Sequence, residues 1–483
     1  MFKALGRHPP QRQAITFPER SLSYAALREA SARVARSVTG LSRVAVLAEA
    51  RIETCVAVIG ALEAGVPVVP VNPRSGDREL AHIVADAEPA ALLVAPGTEA
   101  TSAFAGRPIV VVELDSEGPF ESPSAQHTDP EAPALIVYTS GTTGSPKGAV
   151  LPWRAIASNL DALADAWAWD EHDVVAHGLP LFHVHGLVIG ILGPVRRGGT
   201  AVHLGRFSTE GVQHVLEEGA TMLFGVPTMY RRLADAAQGS PPLAAALGRA
   251  RLLVSGSAAL PASEHERLRR LTGRVVVERY GMTETLMNTA IRAGGEPRPG
   301  SVGPPVDGVE LRLVDDQGHP ILDGDGDGDG DGDTIGEIEV RGPNLFLGYL
   351  NRPKATIASM HDGWFRTGDM ATRDPDGHIR IVGRRATDLI KSGGYKIGAG
   401  EIESSLRDHP AVDDAAVTGE EDSDLGERVV AWVVLREGAA ASERELSDHV
   451  AGQLAPHKRP RLVRFLDELP RNELGKVQKQ RLG

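Results

Sequence analysis

At 483 residues the chain is too long for one simple core and implies at least two domains, while 42% hydrophobic and 24% charged residues describe an ordinary globular composition. A formal net charge of −13 disfavours nucleic acid or an anionic membrane as main partner, so an anionic substrate needs a local cationic site. The single cysteine, Cys55, excludes an intrachain disulfide and a cysteine metal cluster, and its apolar neighbours mark it as an inert core thiol.

The first residues carry no long apolar stretch, so neither a signal peptide nor a spanning helix is expected, and a cytoplasmic location follows. Residues 22–38 read as a helix, 43–47 as a strand, 52–64 as a helix closed by Gly65, and 66–71 as a strand ended by Asn72-Pro73. Such repeats predict parallel sheets flanked by helices. Residues 115–133, rich in Pro, Ser, Glu and Asp, read as a loop. The α/β rhythm resumes at Leu151 and runs to about Ala290. Beyond Ser301, alternating strands at 309–314 and 336–341 predict a small β-barrel-like subdomain. The Asp-Gly alternation at 323–333 tempts a calcium-loop assignment. Counting twelve from Asp323, Asp325 or Asp327 reaches Thr334, Gly336 or Ile338, never the glutamate such a loop needs. It reads as a polar hairpin tip. The last hundred residues give a compact α+β pattern. The expected organisation is thus an α/β protein: residues 1–383 hold two α/β subdomains and the β-barrel-like one, and 384–483 form a small α+β domain.

The chemistry begins at Tyr138-Thr139-Ser140-Gly141-Thr142-Thr143-Gly144-Ser145-Pro146-Lys147-Gly148. It follows an apolar strand end. Glycines let backbone N–H groups turn inward around an anion, hydroxyls add donors, and Lys147 adds a point charge. That set suits a polyphosphate, although it is not the P-loop pattern. Downstream come Ser255-Gly256-Ser257, Tyr280-Gly281-Met282-Thr283-Glu284, Thr367-Gly368-Asp369, Gly383-Arg384 ahead of Asp388-Leu389-Ile390-Lys391-Ser392-Gly393-Gly394-Tyr395, and Pro470-Arg471-Asn472-Glu473-Leu474-Gly475-Lys476. Each alone has a bland alternative: a linker, a turn, a helix N-cap at Thr283, a surface aspartate, a solvated lysine.

Together, and in this order over nearly the whole chain, these motifs resemble the signatures of the adenylate-forming superfamily, which includes acyl-CoA synthetases, luciferases and peptide-synthetase adenylation domains. The resemblance implies that Thr139, Ser140, Gly141, Thr142, Thr143, Gly144 and Lys147 hold the ATP phosphates. Ser257, Glu278, Arg279, Tyr280 and Gly281 should border the adenine and acyl pocket. Thr283 should touch the α-phosphate and Glu284 should hold Mg²⁺. Asp369 should bind the ribose hydroxyls with Arg384 beside it. One extra residue after Gly383-Arg384 leaves Arg385 as an alternative ribose ligand and Ala386 or Thr387 as the hinge. Lys476 should reach the reacting carboxylate and α-phosphate. The C-terminal domain should be mobile, exchanging Lys476 for the face carrying Lys391, Gly394 and Tyr395 when CoA enters.

In this scheme a carboxylate attacks the α-phosphorus of ATP, pyrophosphate leaves, and a thiol then takes the acyl group. A carboxylic acid with a pKa of about 4 is already ionised at pH 7, so cations rather than a base are required. Arg279 stands where most superfamily members carry glycine, and Phe182-His183-Val184-His185 adds two imidazoles at the matching pocket loop. A buried guanidinium wants a carboxylate, either within the chain, Glu278 or Glu310, or on a diacid substrate. With Met282 also in the pocket, these segments resemble those of malonyl-CoA synthetases. This implies malonate or methylmalonate, ATP and CoA as small-molecule substrates, with no nucleic-acid or membrane partner. Alternatives are a ligase for another short-chain acid and an acyl-AMP ligase serving a carrier protein. A peptide-synthetase domain would want an aspartate near Phe182, a luciferase more than 4% aromatic residues, and a non-catalytic binder would lack Lys476 or Glu284.

Overall fold

The computed structural model describes residues 8–99, 101–115, 129–139, 145–295, 298–321, 334–385, 388–392, 395–471 and 477–482. The Asp-Gly tract, most of the expected phosphate loop, Ala386 and Thr387, either of which is the expected hinge, and Lys476 lie outside them.

Two large sheets carry the N-terminal part. The first has seven strands, in spatial order Gly348–Tyr349, Lys147–Pro152, Pro133–Thr139, Val68–Val71, Val44–Leu47, Ala91–Val94 and Ile109–Val111. The second has eight: Leu286–Ala290, Val276–Met282, Leu252–Ser255, Met222–Gly225, Val174–His177, Thr200–His203, Gln13–Phe17 and Arg20–Ser23. Their central strands are parallel, as expected, and their short apolar runs are buried on both faces. Helix Ile52–Glu63 is buried along nearly its whole length, with Cys55 fully enclosed and its thiol pKa raised by burial. It touches helix Tyr24–Val38 so closely that a Cβ on Gly60 would lie 2.6 Å from the Ser31 carbonyl oxygen.

The first helix starts later than its sequence pattern predicts. Leu22 and Ser23 belong to strand Arg20–Ser23, which pairs antiparallel with Gln13–Phe17. Ser23 then caps helix Tyr24–Val38 by accepting the Ala26 N–H at 3.2 Å. The helical spacing of the apolar residues hides this hairpin.

Beyond Ser301 a five-stranded antiparallel sheet forms from Glu310–Val314, Gly336–Arg341, Met360–His361, Trp364–Arg373 and Ile379–Arg384. Arg384 ends its last strand, so the boundary expected after Gly383 falls one residue inside it. The C-terminal sheet comprises Leu389–Ser392, Tyr395–Gly398, Val412–Asp422, Gly426–Leu435 and Leu462–Phe465, covered by helices Ala399–Arg407 and Glu443–Gln453. Arg231 fastens this domain to helix Pro227–Gly239. Its Nη1 donates to the Asp413 carbonyl at 2.7 Å and its Nη2 pairs with the Asp413 carboxylate. Among the described residues no helix is long and apolar enough to cross a membrane.

Candidate active site

Strands Pro133–Thr139 and Lys147–Pro152 are antiparallel, with Thr139 opposite Lys147, so the ends of the expected phosphate loop sit side by side. Ser140, Gly141, Thr142, Thr143 and Gly144 lie outside the described residues. Helix Asp77–Ala87 braces the loop base: His82 Nε2 donates to the Pro146 carbonyl at 2.9 Å, and the Tyr138 hydroxyl to Asp86 Oδ2 at 2.8 Å. Lys147 Nζ lies 4.6 Å from the centre of the Tyr349 ring, and the Tyr349 hydroxyl donates to Glu284 Oε1 at 2.8 Å. One aromatic residue therefore joins the loop cation to the carboxylate expected at the metal. No motif points to Tyr349. Only pairing of Gly348–Tyr349 with Val150 and Ala149 brings it here.

Glu284 sits in the turn of a hairpin between Val276–Met282 and Leu286–Ala290. Tyr280, Gly281 and Met282 lie inside the first strand. No helix starts at Thr283, which removes the capping alternative. Gly281 is required by proximity, since a Cβ there would lie 1.9 Å from the Leu286 carbonyl oxygen. Thr283 and Met282 are half-buried and Glu284 is buried.

Across the cleft, buried Asp369 receives the Tyr280 hydroxyl on Oδ2 at 2.6 Å and faces Arg384 Nε from Oδ1 at 3.0 Å. The register that sets Asp369 opposite Arg384 fixes which arginine reaches it. Arg385 turns away, Nη1 to Glu337 Oε2 at 2.6 Å and Nη2 to Asp316 Oδ1 at 3.3 Å. Asp369 foremost, then Tyr280, Glu284 and Asp388, hold the Arg384 pKa above its ordinary value against burial. Ser257 is exposed with φ +74°, a left-handed conformation that a non-glycine residue keeps only where its surroundings require it.

Strand alternation sends Glu278 and Arg279 to opposite faces. Glu278 faces helix Ala262–Thr272: Oε1 accepts the Leu260 N–H at 2.9 Å, and Oε2 lies 2.9 Å from His265 Nε2. This corrects the expectation for its side chain, because the carboxylate fastens a helix and does not border the pocket. Arg279 is 5% exposed, and among the described residues neither Nε nor Nη2 has a hydrogen-bond partner. Burial lowers its pKa to about 10. Both proposed internal acids are engaged elsewhere, Glu278 as above and Glu310 with Arg341. A Cβ on Gly256 would lie 2.2 Å from the guanidinium carbon, so the arginine lies flat against bare backbone. His185 is buried beside it with both ring nitrogens unpartnered among the described residues. Burial first, and Arg279 second, hold the His185 pKa well below the usual histidine range. His185 opens a π-helix, His185–Leu192, a rare geometry that recurs at functional sites. His183 is half-buried, its ring 5.1 Å from that of Phe182.

In the C-terminal domain Lys391 is exposed and donates its N–H to Glu427 Oε2 at 2.6 Å. Tyr395 is 56% exposed and stacks on His457 at 4.2 Å. Gly394 and Lys476 lie outside the described residues. Asp388 holds the junction, accepting the Arg384 N–H at 2.9 Å and pairing with Lys479 at 2.6 Å.

A family model for AMP-binding enzymes matches residues 2–350, and the model for their C-terminal domain matches residues 401–476. The chain belongs to the AMP-binding enzyme family. The mitochondrial malonate–CoA ligase of Mus musculus is 40% identical over 390 residues, 76% of this chain and 67% of that one. The malonate–CoA ligase of Arabidopsis thaliana is 34% identical over 483 residues, 91% of this chain and 77% of that one. A malonyl-CoA ligase solved with methylmalonyl-CoA and AMP is 59% identical with a TM-score of 0.75, over 98% of this chain and all of that one. ATP-bound MatB from Rhodopseudomonas palustris is 36% identical with a TM-score of 0.89, over 99% and 97%.

For an AMP-binding enzyme the arrangement is chemically coherent. Lys147, Tyr349 and Glu284 form one linked group, Tyr280, Asp369 and Arg384 a second, and buried Arg279 and His185 a third. Among the described residues no three metal-ligating side chains cluster. Glu284 supplies one hard carboxylate, joined through Tyr349 to Lys147, and a single carboxylate plus phosphate oxygens is how Mg²⁺ is commonly held. The donor set therefore fits that ion.

Proposed function

We propose that this AMP-binding enzyme is an acid–thiol ligase. It converts malonate, and also methylmalonate, with ATP and CoA to the acyl-CoA, AMP and pyrophosphate through an acyl-adenylate. The observation that carries the substrate is Arg279: a guanidinium taken out of water with no carboxylate paired to it among the described residues. An uncompensated buried charge costs several kcal/mol, so a second carboxylate on the substrate is its natural partner. Kinship with malonate–CoA ligases supports the same reading.

In the first step one malonate carboxylate oxygen bonds to the α-phosphorus as the bond to the pyrophosphate oxygen breaks. The far carboxylate rests on Arg279, so the substrate is gripped at the end that does not react. Lys147 at the loop and Lys476 from the C-terminal domain offset the meeting of two anions. Asp369 accepts from the ribose hydroxyls, with Tyr280 and Arg384 fixing its orientation. Mg²⁺ held by Glu284 would supply further neutralisation of phosphate charge. In the second step the CoA sulfur bonds to the acyl carbon, the carbon–oxygen bond to AMP breaks, and the thiol proton is lost. The C-terminal domain turns about the segment at Ala386 and Thr387, removing Lys476 and presenting the hairpin of Lys391 and Tyr395.

The test is pyrophosphate release by the purified enzyme with ATP, CoA and one acid at a time: malonate, methylmalonate, succinate, sulfoacetate, acetate or propionate. Malonate and methylmalonate should dominate. A preference for acetate or propionate, or ATP left intact with every dianion, would end this assignment.

A further inference from the structure

His177 and His203 end two adjacent parallel strands, Val174–His177 and Thr200–His203, and stand opposite each other in register. Both side chains are enclosed, 0% and 1% exposed. Their rings meet edge to face at 4.7 Å, and Phe17 stacks on His203 at 4.7 Å. Neither is exposed to the cleft, yet both reach one residue of the loop that leaves the sheet toward the acyl pocket. The Leu179 N–H donates to His177 Nδ1 at 3.2 Å, and His203 Nε2 donates to the Leu179 carbonyl at 3.0 Å. The Gly205 N–H donates to His203 Nδ1 at 3.0 Å. These partners assign both neutral rings their proton on Nε2. Burial keeps them neutral, lowering the His203 pKa to about 4 and that of His177 well below the usual range.

On its other side the same loop is pressed by the π-helix. A Cβ on Gly186 would lie 2.3 Å from the Pro180 carbonyl oxygen and 2.9 Å from that of Leu179. A Cβ on Gly190 would lie 2.5 Å from His177 Nε2. The Leu179-Pro180 peptide is therefore clamped between two histidines and the first turn of the helix that carries His185. Arg279 lies near enough to His185 to lower its pKa, so a shift of Leu179 passes toward Arg279 with little slack, as close-packed interiors transmit strain.

We propose that His177 and His203 are positioning residues for substrate choice: by holding both polar groups of the Leu179 backbone they set the spacing between His185 and Arg279. That spacing fixes the length of diacid the pocket accepts, an inference that rests on Arg279 holding the far carboxylate. The occupant is a short dicarboxylate, and neither histidine touches it.

Full-length variants test this through chemically matched pairs. His203→Gln keeps a donor near the place of Nε2, and His203→Leu removes it. His177→Asn keeps an acceptor near the place of Nδ1, and His177→Leu removes it. Pyrophosphate release is measured with malonate and with succinate at varied ATP. The leucine variants should lose about tenfold or more in the malonate-to-succinate ratio of kcat/KM, the scale on which one methylene is discriminated, with KM for ATP unchanged. The asparagine and glutamine variants should recover most of that ratio. An equal fall for both acids, a parallel rise in KM for ATP, or amide variants no better than leucine would overturn the proposal. If the leucine variants do not fold, the misplaced amides His203→Asn and His177→Gln replace them. Misplaced amides that match the well-placed ones in acid ratio would overturn it equally. A wild-type enzyme that ignores every dicarboxylate overturns the substrate assignment together with this inference. A malonate-selective wild type with unchanged ratios in the variants overturns this inference alone.

Discussion

Tyr280 donates its hydroxyl to Asp369 at 2.6 Å, joining the hairpin that bears Glu284 to the β-rich sheet across 89 positions of sequence. The aspartate is thereby held in one orientation before any nucleotide arrives. A buried hydrogen bond to a charged group contributes about 1.5–3 kcal/mol. Tyr280→Phe should therefore raise KM for ATP roughly tenfold or more while leaving KM for the acid nearly unchanged. Initial-rate kinetics at varied ATP and fixed malonate check this.

The two neighbouring arginines should separate cleanly. Arg384 faces Asp369, whereas Arg385 is bound to Glu337 and Asp316. Arg384→Ala should weaken AMP binding measured by calorimetry by about tenfold, the loss of one charge-assisted contact. Arg385→Ala should leave AMP affinity alone and lower thermal stability by at most about 1 kcal/mol, as half-exposed ion pairs do. Equal effects on AMP affinity would reverse the assignment.

Arg279→Ala should remove the proposed grip on the far carboxylate. Truncating one member of a buried charge pair costs about 2–5 kcal/mol, so malonate kcat/KM should fall roughly 30- to 5,000-fold. ATP affinity should hold, and in Arg279→Met, which keeps most of the buried side-chain volume, the free enzyme should gain stability, because a desolvated cation with no carboxylate partner among the described residues has gone. Denaturant unfolding without substrate reads the second effect, and a loss of stability would show that Arg279 has an internal partner.

Lys476→Ala should block adenylate formation yet spare thioester formation from preformed malonyl-adenylate. The two half-reactions are assayed apart, by pyrophosphate exchange and by acyl-CoA formation. Equal loss in both would count against a lysine that serves only the first.

Buried neutral histidines make stability depend on pH in a defined sense. The His203 pKa is about 4 in the folded state, against about 6.5 when unfolded. As pH falls below 6.5 the unfolded chain takes up a proton that the folded chain refuses. Stability is therefore full above that pH and is lost progressively toward 4, by about 2 kcal/mol at pH 5 for this group. Urea titrations at pH 7 and pH 5 should show that loss, and His203→Gln should shrink it.

Much of this was legible in the residues, for identifiable reasons. Motifs that need a fixed order of small, hydroxyl and charged residues are visible without a fold, so Asp369, Glu284 and Arg279 could be singled out. The parallel strands announce themselves as short apolar runs. What stayed hidden depends on register and facing. Nothing local distinguishes Glu278 from Arg279 as pocket-facing until the strand is laid beside helix Ala262–Thr272. Tyr349 sits in a two-residue strand whose neighbours alone bring it to Lys147. His177 and His203 look like ordinary strand-end histidines, because hydrogen bonds to one distant peptide leave no trace in spacing. The hairpin of Leu22 was lost because its residues also fit a helical stripe.

Gly256 and Arg279 constrain each other. Because the guanidinium of Arg279 occupies the space a methyl group would need, the two positions cannot drift independently: enlarging one evicts the other. Under the proposed role of Arg279, room for any side chain at position 256 comes at the expense of diacid binding.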